Sequence, residues 1–212
     1  MFKNEMMKRR GIIIKKLLII GSGGHGRCCL DIARDMNIYD QIAFLDDNHV
    51  HETINGCDVI GTVDEMSSYY PEYSDIFIAV GNNKLRKKLS MQAKEIGYYC
   101  PSLISPDSYI SRYANINEGT VVFPHSVIEA NANIGEGCII SSNVTINHDA
   151  VIEDYCLIYC STVIRPNTLI GSLAIIGNNC TIISGSKIKA CSDIRDGSVI
   201  EPSDKYSFEV GV

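Results

Sequence analysis

The residue of this chain that points most directly to chemistry is His148, which lies between Asn147 and Asp149. An imidazole changes its protonation state near neutral pH and can take a proton from an attacking amine or hydroxyl. A neighbouring carboxylate can orient the ring and favour its protonated form. We therefore predict that His148 is a general base, with Asp149 as the first candidate for its carboxylate partner and Glu129 as the second. An inert surface histidine is the alternative.

A second candidate site follows the first predicted strand, KKLLII. Gly21, Gly23 and Gly26 have the spacing of the dinucleotide-binding fingerprint, and Asp46 follows at the end of the next predicted strand. Glycine amides at the beginning of a helix favour anionic groups, and Asp46 or Asp47 can accept hydrogen bonds from a ribose or a base. The alternative is that the glycines only allow the turn from strand to helix.

The elements around this turn predict a small Rossmann-like α/β domain with a parallel sheet over residues 15–103. It is long enough for only one mononucleotide-binding half, which favours a nucleotide moiety over NAD. Residues 1–14 are expected to form a disordered leader. A helix predicted over residues 83–96 should present a basic outer face, formed by Lys84, Arg86, Lys87 and Lys88.

The element that must position His148 is a six-residue repeat, which predicts a second domain over residues 104–212. Isoleucine or valine recurs at every sixth position, namely Ile104, Ile110, Ile116, Val122, Ile128, Ile134, Ile140, Ile146, Ile152, Ile158, Ile164, Ile170, Ile176, Ile182, Ile188, Ile194 and Ile200. A small residue stands two positions before nearly all of them, with Val144 as the bulky exception. Positions i and i−2 of a strand point to the same side, so each repeat is a short strand followed by a corner.

Such a repeat predicts a parallel β-helix, and three six-residue sides close as a triangular coil in which residues eighteen apart are stacked. Ile110, Ile128 and Ile146 should therefore lie in one column. Ala130 and Pro166 should stack on either side of His148 and leave its imidazole uncrowded.

Composition excludes several functional classes. The net charge of −6 provides no basic surplus for binding nucleic acid. No apolar run is long enough to span a membrane. His49 and His51 form a pair without further ligands, so we expect no metal site. Cys138, Cys156 and Cys180 occupy the small inward positions of the coil, as expected for reduced packing residues of a cytoplasmic protein.

These features resemble hexapeptide-repeat acyltransferases of the sugar O-acyltransferase and sialic-acid O-acetyltransferase type, close to UDP-4-amino-sugar N-acetyltransferases. The resemblance covers residues 16–211. The matching stretches are GSGGHG (21–26), FLDDN (44–48), FIAVGNNKLRKK (77–88), SLISPDSYIS (102–111) and NVTINHDAVIED (143–154).

The resemblance implies a left-handed β-helix that forms a homotrimer and transfers an acetyl group directly from acetyl-CoA to a nucleotide-linked (UDP-) amino sugar. His148 would be the general base, and Asp149 would raise its basicity. Implied contacts to the nucleotide-sugar are Gly23, Gly24, His25, Asp46, Asp47, Gly81 and Lys84. Implied contacts to the coenzyme are Leu157, Gly177, Asn178 and Gly197.

Two departures from the family pattern bear on the coenzyme. Arg165 and Pro166 replace a family glycine after the histidine coil, and the sequence closes at Gly211-Val212 where relatives usually continue with Pro-Ala-Lys. Two further functions therefore stay open. One is an O-acetyltransferase acting on a sialic-acid-like sugar, and the other is a noncatalytic trimer that binds sugar nucleotides.

Overall fold

The computed structural model of the protein describes residues 14–202, so nearly all of the predicted leader lies outside the described residues. The described chain divides into two compact units. The first, here called the α/β unit, comprises the residues up to Val80 together with Leu89–Pro101. The second, the coil unit, comprises Gly81–Lys88 and the residues from Ser102 onward. Segment 81–88 thus groups with the coil, although the sequence places it within the predicted α/β domain.

The α/β unit is built on one five-stranded sheet. Its strands are β1 (Lys16–Ile20), β2 (Gln41–Leu45), β3 (Thr53–Ile54), β4 (Cys57–Gly61) and β5 (Asp75–Ile78). Their order is β3-β4-β2-β1-β5, and all neighbours are parallel except the β3–β4 hairpin. The helices are α1 (Gly24–Asp35), a 3-10 helix (Val63–Tyr69) and α2 (Asn83–Ile96), whose first residues belong to the coil unit.

The first strand of this sheet, β1, lies between β2 and β5 and is buried on both faces. Leu17, Leu18 and Ile19 in β1 are all 0% exposed, although successive side chains of a strand point to opposite sides. Leu18 belongs to a cluster that also contains Met66 of the 3-10 helix and Ala93 of α2. A continuous apolar run is typical of a parallel strand covered on both faces.

The coil unit is a left-handed parallel β-helix, as predicted, made of two-residue strands in three parallel sheets. The first face consists of Leu103–Ile104, Val121–Val122, Ile139–Ile140, Leu157–Ile158, Ile175–Ile176 and Asp193–Ile194. The second face consists of Tyr109–Ile110, Val127–Ile128, Thr145–Ile146, Val163–Ile164, Thr181–Ile182 and Val199–Ile200. The third face consists of Asn115–Ile116, Asn133–Ile134, Val151–Ile152, Leu169–Ile170 and Lys187–Ile188.

Each strand pairs with the strand eighteen residues away, so the predicted stacking is confirmed. Ile128 pairs with Ile146, and Ile146 pairs with Ile164. The repeat residues form a single core, within which Ile128, Ile146 and Ile164 are all 0% exposed. The core is less well covered at its ends, where Ile110 and Ile200 are only partly buried.

Several of the small inward residues can be polar because a backbone carbonyl fifteen residues later accepts a hydrogen bond from them. The Thr162 hydroxyl donates to the Gly177 carbonyl at 2.7 Å. The buried Cys156 thiol donates to the Gly171 carbonyl at 3.2 Å in the same way. Buried hydroxyls and thiols therefore keep a hydrogen-bond partner, which removes the cost of burying them unpaired. Cys138, Cys156 and Cys180 carry free thiols.

Ile164→Ala should destabilise the protein far more than Ile200→Ala. Ile164 is 0% exposed between two stacked isoleucines, and truncation of such a residue leaves a cavity that costs about 2–5 kcal/mol. Ile200 occupies the same column at its partly buried end, where solvent and neighbours can fill the space. Thermal unfolding of the two variants tests the stacking, and equal shifts in melting temperature would contradict it.

Candidate active site

His148 lies at a corner of the coil, between the strands Thr145–Ile146 and Val151–Ile152. Backbone hydrogen bonds fix this corner to the coil before it. The Asp149 NH donates to the Ala130 carbonyl at 3.1 Å. Asp149 has a left-handed backbone (φ 59°), a conformation that aspartate tolerates better than most residues.

The imidazole of His148 contacts the carboxylate predicted to orient it. Its Nδ1 atom lies 2.7 Å from Oδ2 of Asp149, and Oδ1 of Asp149 accepts a hydrogen bond from the Asn131 side chain at 3.1 Å. The bond from His148, followed by the bond from Asn131, lowers the pKa of Asp149, so its carboxylate stays anionic at neutral pH. Asn131 and Asp149 are eighteen residues apart, so the coil period brings them together.

The opposite ring nitrogen of His148 is available to a substrate. The side chains of His148 and Asp149 are 52% and 44% exposed, respectively. Within residues 14–202, Nε2 of His148 has no hydrogen-bond partner. When Nδ1 carries the proton shared with Asp149, Nε2 presents a lone pair to solvent, which is the tautomer that a general base requires.

Glu129, the second candidate for orienting the ring, binds the backbone instead. Its Oε2 atom accepts a hydrogen bond from the backbone NH of His148 at 2.9 Å. Glu129 therefore secures the corner, and Asp149 is the carboxylate that contacts the ring.

The predicted nucleotide site begins with a turn that is held by Asp46. Oδ2 of Asp46 accepts hydrogen bonds from the backbone NH of Ser22 at 2.7 Å and from its hydroxyl at 2.9 Å. Oδ1 accepts a hydrogen bond from the backbone NH of Asn48 at 2.9 Å. Burial alone would raise the pKa of Asp46, but these three hydrogen bonds together outweigh it and lower the pKa.

The glycines of this turn fall into two groups. Gly21 has a left-handed backbone (φ 95°), and a Cβ atom on Gly26 would lie 1.9 Å from the carbonyl oxygen of Gly21. The turn itself therefore requires these two glycines. Gly23 and Gly24 are exposed, and no atom of the described residues would crowd a Cβ atom at either position. A side chain would therefore fit at either position, so the packing of the turn does not require these two glycines.

Of the other residues predicted to contact the nucleotide-sugar, His25 and Asp47 contact residues of the α/β unit, whereas Gly81 and Lys84 belong to the coil unit. Nε2 of His25 lies 3.7 Å from Sγ of Cys29, one turn further along α1. Oδ1 of Asp47 accepts a hydrogen bond from the backbone NH of Val63 at 2.9 Å, at the beginning of the 3-10 helix. Gly81 and Lys84 are exposed and belong to the coil unit, so they are not part of the unit that contains the glycine turn.

The residues predicted to contact the coenzyme lie on another edge of the coil from His148. Gly177, Asn178 and Gly197 lie at the corners between the first and second faces, whereas His148 lies between the second and third. The Asn178 backbone NH donates to Asp196 at 2.7 Å, and a Cβ atom on Gly177 would lie 2.5 Å from the Asp196 nitrogen. The stacking of the coils therefore already explains the glycine at position 177. Leu157 begins a first-face strand and is 6% exposed.

One basic residue of α2 is buried, contrary to the prediction from the sequence. Arg86, predicted to lie on a basic outer face with its neighbouring lysines, is 1% exposed and is bonded to the coil. The sequence does not distinguish it from its neighbours, because Arg86 stands among Lys84, Lys87 and Lys88 in the first half of the helix. In the part of the chain that the structure describes, no group of histidine, cysteine, aspartate and glutamate side chains could hold a metal ion. Nor is any helix between residues 14 and 202 both long and apolar enough to cross a membrane.

Comparisons with known proteins identify the family. The PglD N-terminal domain matches residues 16–93, and the bacterial transferase hexapeptide (six repeats) matches residues 102–148 and 149–184. The acetyltransferase domain of PglB from Neisseria gonorrhoeae FA1090 is 33% identical over 89% of this chain and 92% of that chain, with a TM-score of 0.86. The chain belongs to the PglD-type hexapeptide transferases.

Other relatives of this PglD-type transferase have been solved with ligands. The same Neisseria domain in complex with acetyl coenzyme A is 32% identical, with 88% of this chain and 96% of that chain covered and a TM-score of 0.79. PerB from Caulobacter crescentus, in complex with CoA and GDP-perosamine, is 25% identical over 90% of each chain, with a TM-score of 0.83.

A curated relative of this PglD-type transferase is UDP-N-acetylbacillosamine N-acetyltransferase from Bacillus subtilis (strain 168). It is 32% identical over 117 residues. The match covers 51% of this chain and 51% of the relative, so it spans about half the length of that protein.

Gly26→Ala and Gly24→Ala should have opposite effects on the α/β unit. The new methyl group at position 26 would collide with the Gly21 carbonyl, and such overpacking costs about 1–3 kcal/mol or more. At position 24 the methyl group meets open space, and alanine favours the helix by up to about 1 kcal/mol. Gly24→Ala should therefore keep the melting temperature while weakening the binding of UDP or GDP, measured by calorimetry. Unchanged nucleotide binding would mean that Gly24 takes no part in binding the nucleotide.

Asp46→Asn should lower the free energy of unfolding at pH 7 by about 1 kcal/mol, the scale of a hydrogen bond to a charged group after allowance for solvent screening. The pKa of Asp46 is lower in the folded state than in the unfolded chain, so its stabilisation is complete above pH ~4 and is lost as the pH falls through the folded-state pKa. Denaturant unfolding at pH 7 and at about pH 3 should show the two proteins converging in acid. A constant difference in stability would rule out this role.

Proposed function

We propose that this protein is an acetyl-CoA-dependent N-acetyltransferase acting on a nucleotide-linked amino sugar, with a UDP-sugar as the first candidate. The observation that carries the proposal is the His148–Asp149 pair, in which Nδ1 of the imidazole is 2.7 Å from the carboxylate and the ring lies on an exposed corner. This pair lies in a coil similar to that of a domain solved with acetyl coenzyme A.

The geometry supports direct transfer. Nε2 of His148 takes a proton from the sugar amine as the amine nitrogen attacks the thioester carbonyl, forming a C–N bond. The tetrahedral intermediate collapses with cleavage of the C–S bond, and the imidazolium returns the proton to the departing thiolate, which leaves as CoA. Asp149 stabilises the imidazolium between the two steps because its carboxylate stays anionic.

The glycine turn is the proposed binding site of the nucleoside diphosphate. It lies at the carboxyl end of β1, where parallel sheets bind ligands, and the helix that follows directs its amide groups toward an anion. Gly23, Gly24 and His25 would line this site. Asp46 accepts two hydrogen bonds from Ser22, so it would contribute to ligand binding mainly by stabilising the conformation of the turn.

A homotrimer completes the proposal. His148 and the predicted coenzyme residues Gly177, Asn178 and Gly197 lie on different edges of one triangular coil. A coenzyme bound along one edge meets a base on another edge most simply when that base comes from a neighbouring copy. Acetyl-CoA and nucleotide-sugars are both made in the cytoplasm, so we place the reaction there.

The acceptor is proposed to be an amine because of the relatives. The curated relative is an N-acetyltransferase for a UDP-sugar, and PerB was solved with the amino sugar GDP-perosamine. The same imidazole could activate a hydroxyl, so the acceptor panel in the test below contains both kinds of sugar.

His148→Ala should lower turnover by at least ~100-fold, the usual scale for losing a general base. The matched control is His125→Asn, which removes another exposed corner histidine and keeps a residue suited to its left-handed backbone (φ 62°). The control should stay within about twofold of wild type, because no carboxylate among residues 14–202 is bonded to the His125 ring as Asp149 is to that of His148.

The measurement is thiol release from acetyl-CoA with UDP- and GDP-linked amino sugars, GDP-perosamine among them, and with sialic-acid-like hydroxyl acceptors. Near-normal turnover of His148→Ala would remove His148 from the mechanism. If the wild type binds nucleotide but releases thiol with no acceptor, the protein is a noncatalytic binding trimer.

A further inference from the structure

Segment 81–88, the turn after β5 and the first residues of α2, is attached to the coil by a buried arginine. Arg86 has the largest fully buried side chain among the described residues. Its Nε atom donates to the Gly137 carbonyl at 2.7 Å, and Nη2 donates to the Tyr155 carbonyl at 3.2 Å. Its Nη1 atom donates to the Gly81 carbonyl at 3.0 Å. One guanidinium thus connects two coils to the turn that precedes the helix.

Asn83 extends this attachment to the next coil. Its side-chain Nδ2 donates to the Leu173 carbonyl at 3.0 Å, and its Oδ1 accepts a hydrogen bond from Nη2 of Arg86 at 2.8 Å. Asn83 is 6% exposed. Gly137, Tyr155 and Leu173 occupy equivalent positions at one corner of three successive coils. Arg86 and Asn83 together therefore donate hydrogen bonds to a column of stacked carbonyls.

The backbone at this corner is also unusual. Tyr155 and Leu173 have left-handed backbones (φ 57° and 63°), a conformation that costs bulky residues about 1–3 kcal/mol and persists only where the surroundings enforce it. At the other two corners the left-handed positions hold His125, Asn131, Asn143, Asp149, Ser161, Asn167, Asn179, Gly185 and Gly197. The bulky left-handed residues are therefore those whose carbonyls bind Arg86 and Asn83.

A buried guanidinium adds little net stability to the contact between two elements. Its desolvation costs several kcal/mol, and apolar side chains of similar volume often give equal or greater stability. A planar fork with donors in fixed directions instead specifies one relative placement of the groups that it bonds. The contact is therefore better suited to fixing geometry than to adding stability.

We propose that Arg86 and Asn83 are positioning residues that hold Gly81 and Lys84 in fixed register with the coil, and thereby set the affinity for the nucleotide-sugar. This inference rests on the proposed function, together with the family resemblance that implies Gly81 and Lys84 as contacts to that ligand. Arg86 bonds directly to the Gly81 carbonyl, and Lys84 lies between the two positioning residues in the first turn of α2. Neither Arg86 nor Asn83 needs to touch the substrate, because both are buried.

The test compares Arg86→Lys and Asn83→Ala with Lys88→Ala. Lysine keeps the charge of Arg86 but cannot reproduce its planar fork. Alanine at position 83 removes the donor to Leu173 and one acceptor of the guanidinium, which keeps its bonds to the Gly137 and Tyr155 carbonyls. Lys88→Ala is the matched control, because it removes an exposed cation from the same helix. If Arg86→Lys fails to fold, Asn83→Ala carries the test alone.

In the full-length protein, both positioning variants should raise KM for the nucleotide-sugar about tenfold or more, with KM for acetyl-CoA and kcat within about threefold of wild type. Lys88→Ala should change none of the three. Equal increases in both KM values, or losses that follow the melting temperature, would mean a merely structural role and overturn the inference. Unchanged kinetics in both variants would overturn it as well.

Hydrogen exchange separates this inference from the proposed function. Both positioning variants should speed exchange of the amides in residues 81–88 about tenfold or more while leaving those of β1 unchanged. If the wild type transfers no acetyl group but calorimetry shows weaker binding of UDP or GDP in both variants, the proposed function fails and the positioning role stands. If exchange in residues 81–88 is unchanged, the positioning role fails, whatever the activity.

Discussion

In-register stacking of the coil is the constraint on which the rest of the second unit depends. Each strand pairs with the one eighteen residues away, so the sequence separation determines which side chains meet across neighbouring coils. The isoleucine core, the hydroxyl and thiol bonds to carbonyls, and the polar corners all follow from this single translation. Two side chains that are eighteen residues apart in the sequence therefore become neighbours, as Asn131 and Asp149 do.

The two candidate sites use carboxylates in different ways. At the coil corner, Asp149 bonds to an imidazole and stays partly exposed, so its charge acts on a group that can exchange protons. At the glycine turn, both carboxylate oxygens of Asp46 accept hydrogen bonds from backbone NH groups and a hydroxyl, so its charge stabilises the turn. Hydrogen bonds lower the pKa of both carboxyl groups, yet only Asp149 has a titratable partner that faces solvent.

Short-range patterns predicted most of the fold, and their failures have physical causes. The period of six predicted every coil strand, because each repeat specifies its own strand and corner. The β3–β4 hairpin was not predicted, although Asn55-Gly56 is a turn dipeptide suited to the left-handed conformations that both residues adopt. The strand before it, β3, is only two residues long, which is too short to show an alternating pattern in the sequence.

The sequence by itself determined the coil, the edge on which His148 lies and its contact with Asp149, because these depend on residues that are adjacent or one repeat apart. It could not decide which glycines of the turn are needed for packing, since Gly26 and Gly24 differ only in what lies against them. Nor could it place Arg86, which bonds to carbonyls 51 and 69 residues away. Contacts over such separations follow no period, so only the tertiary structure shows that this cation faces the coil and not the solvent.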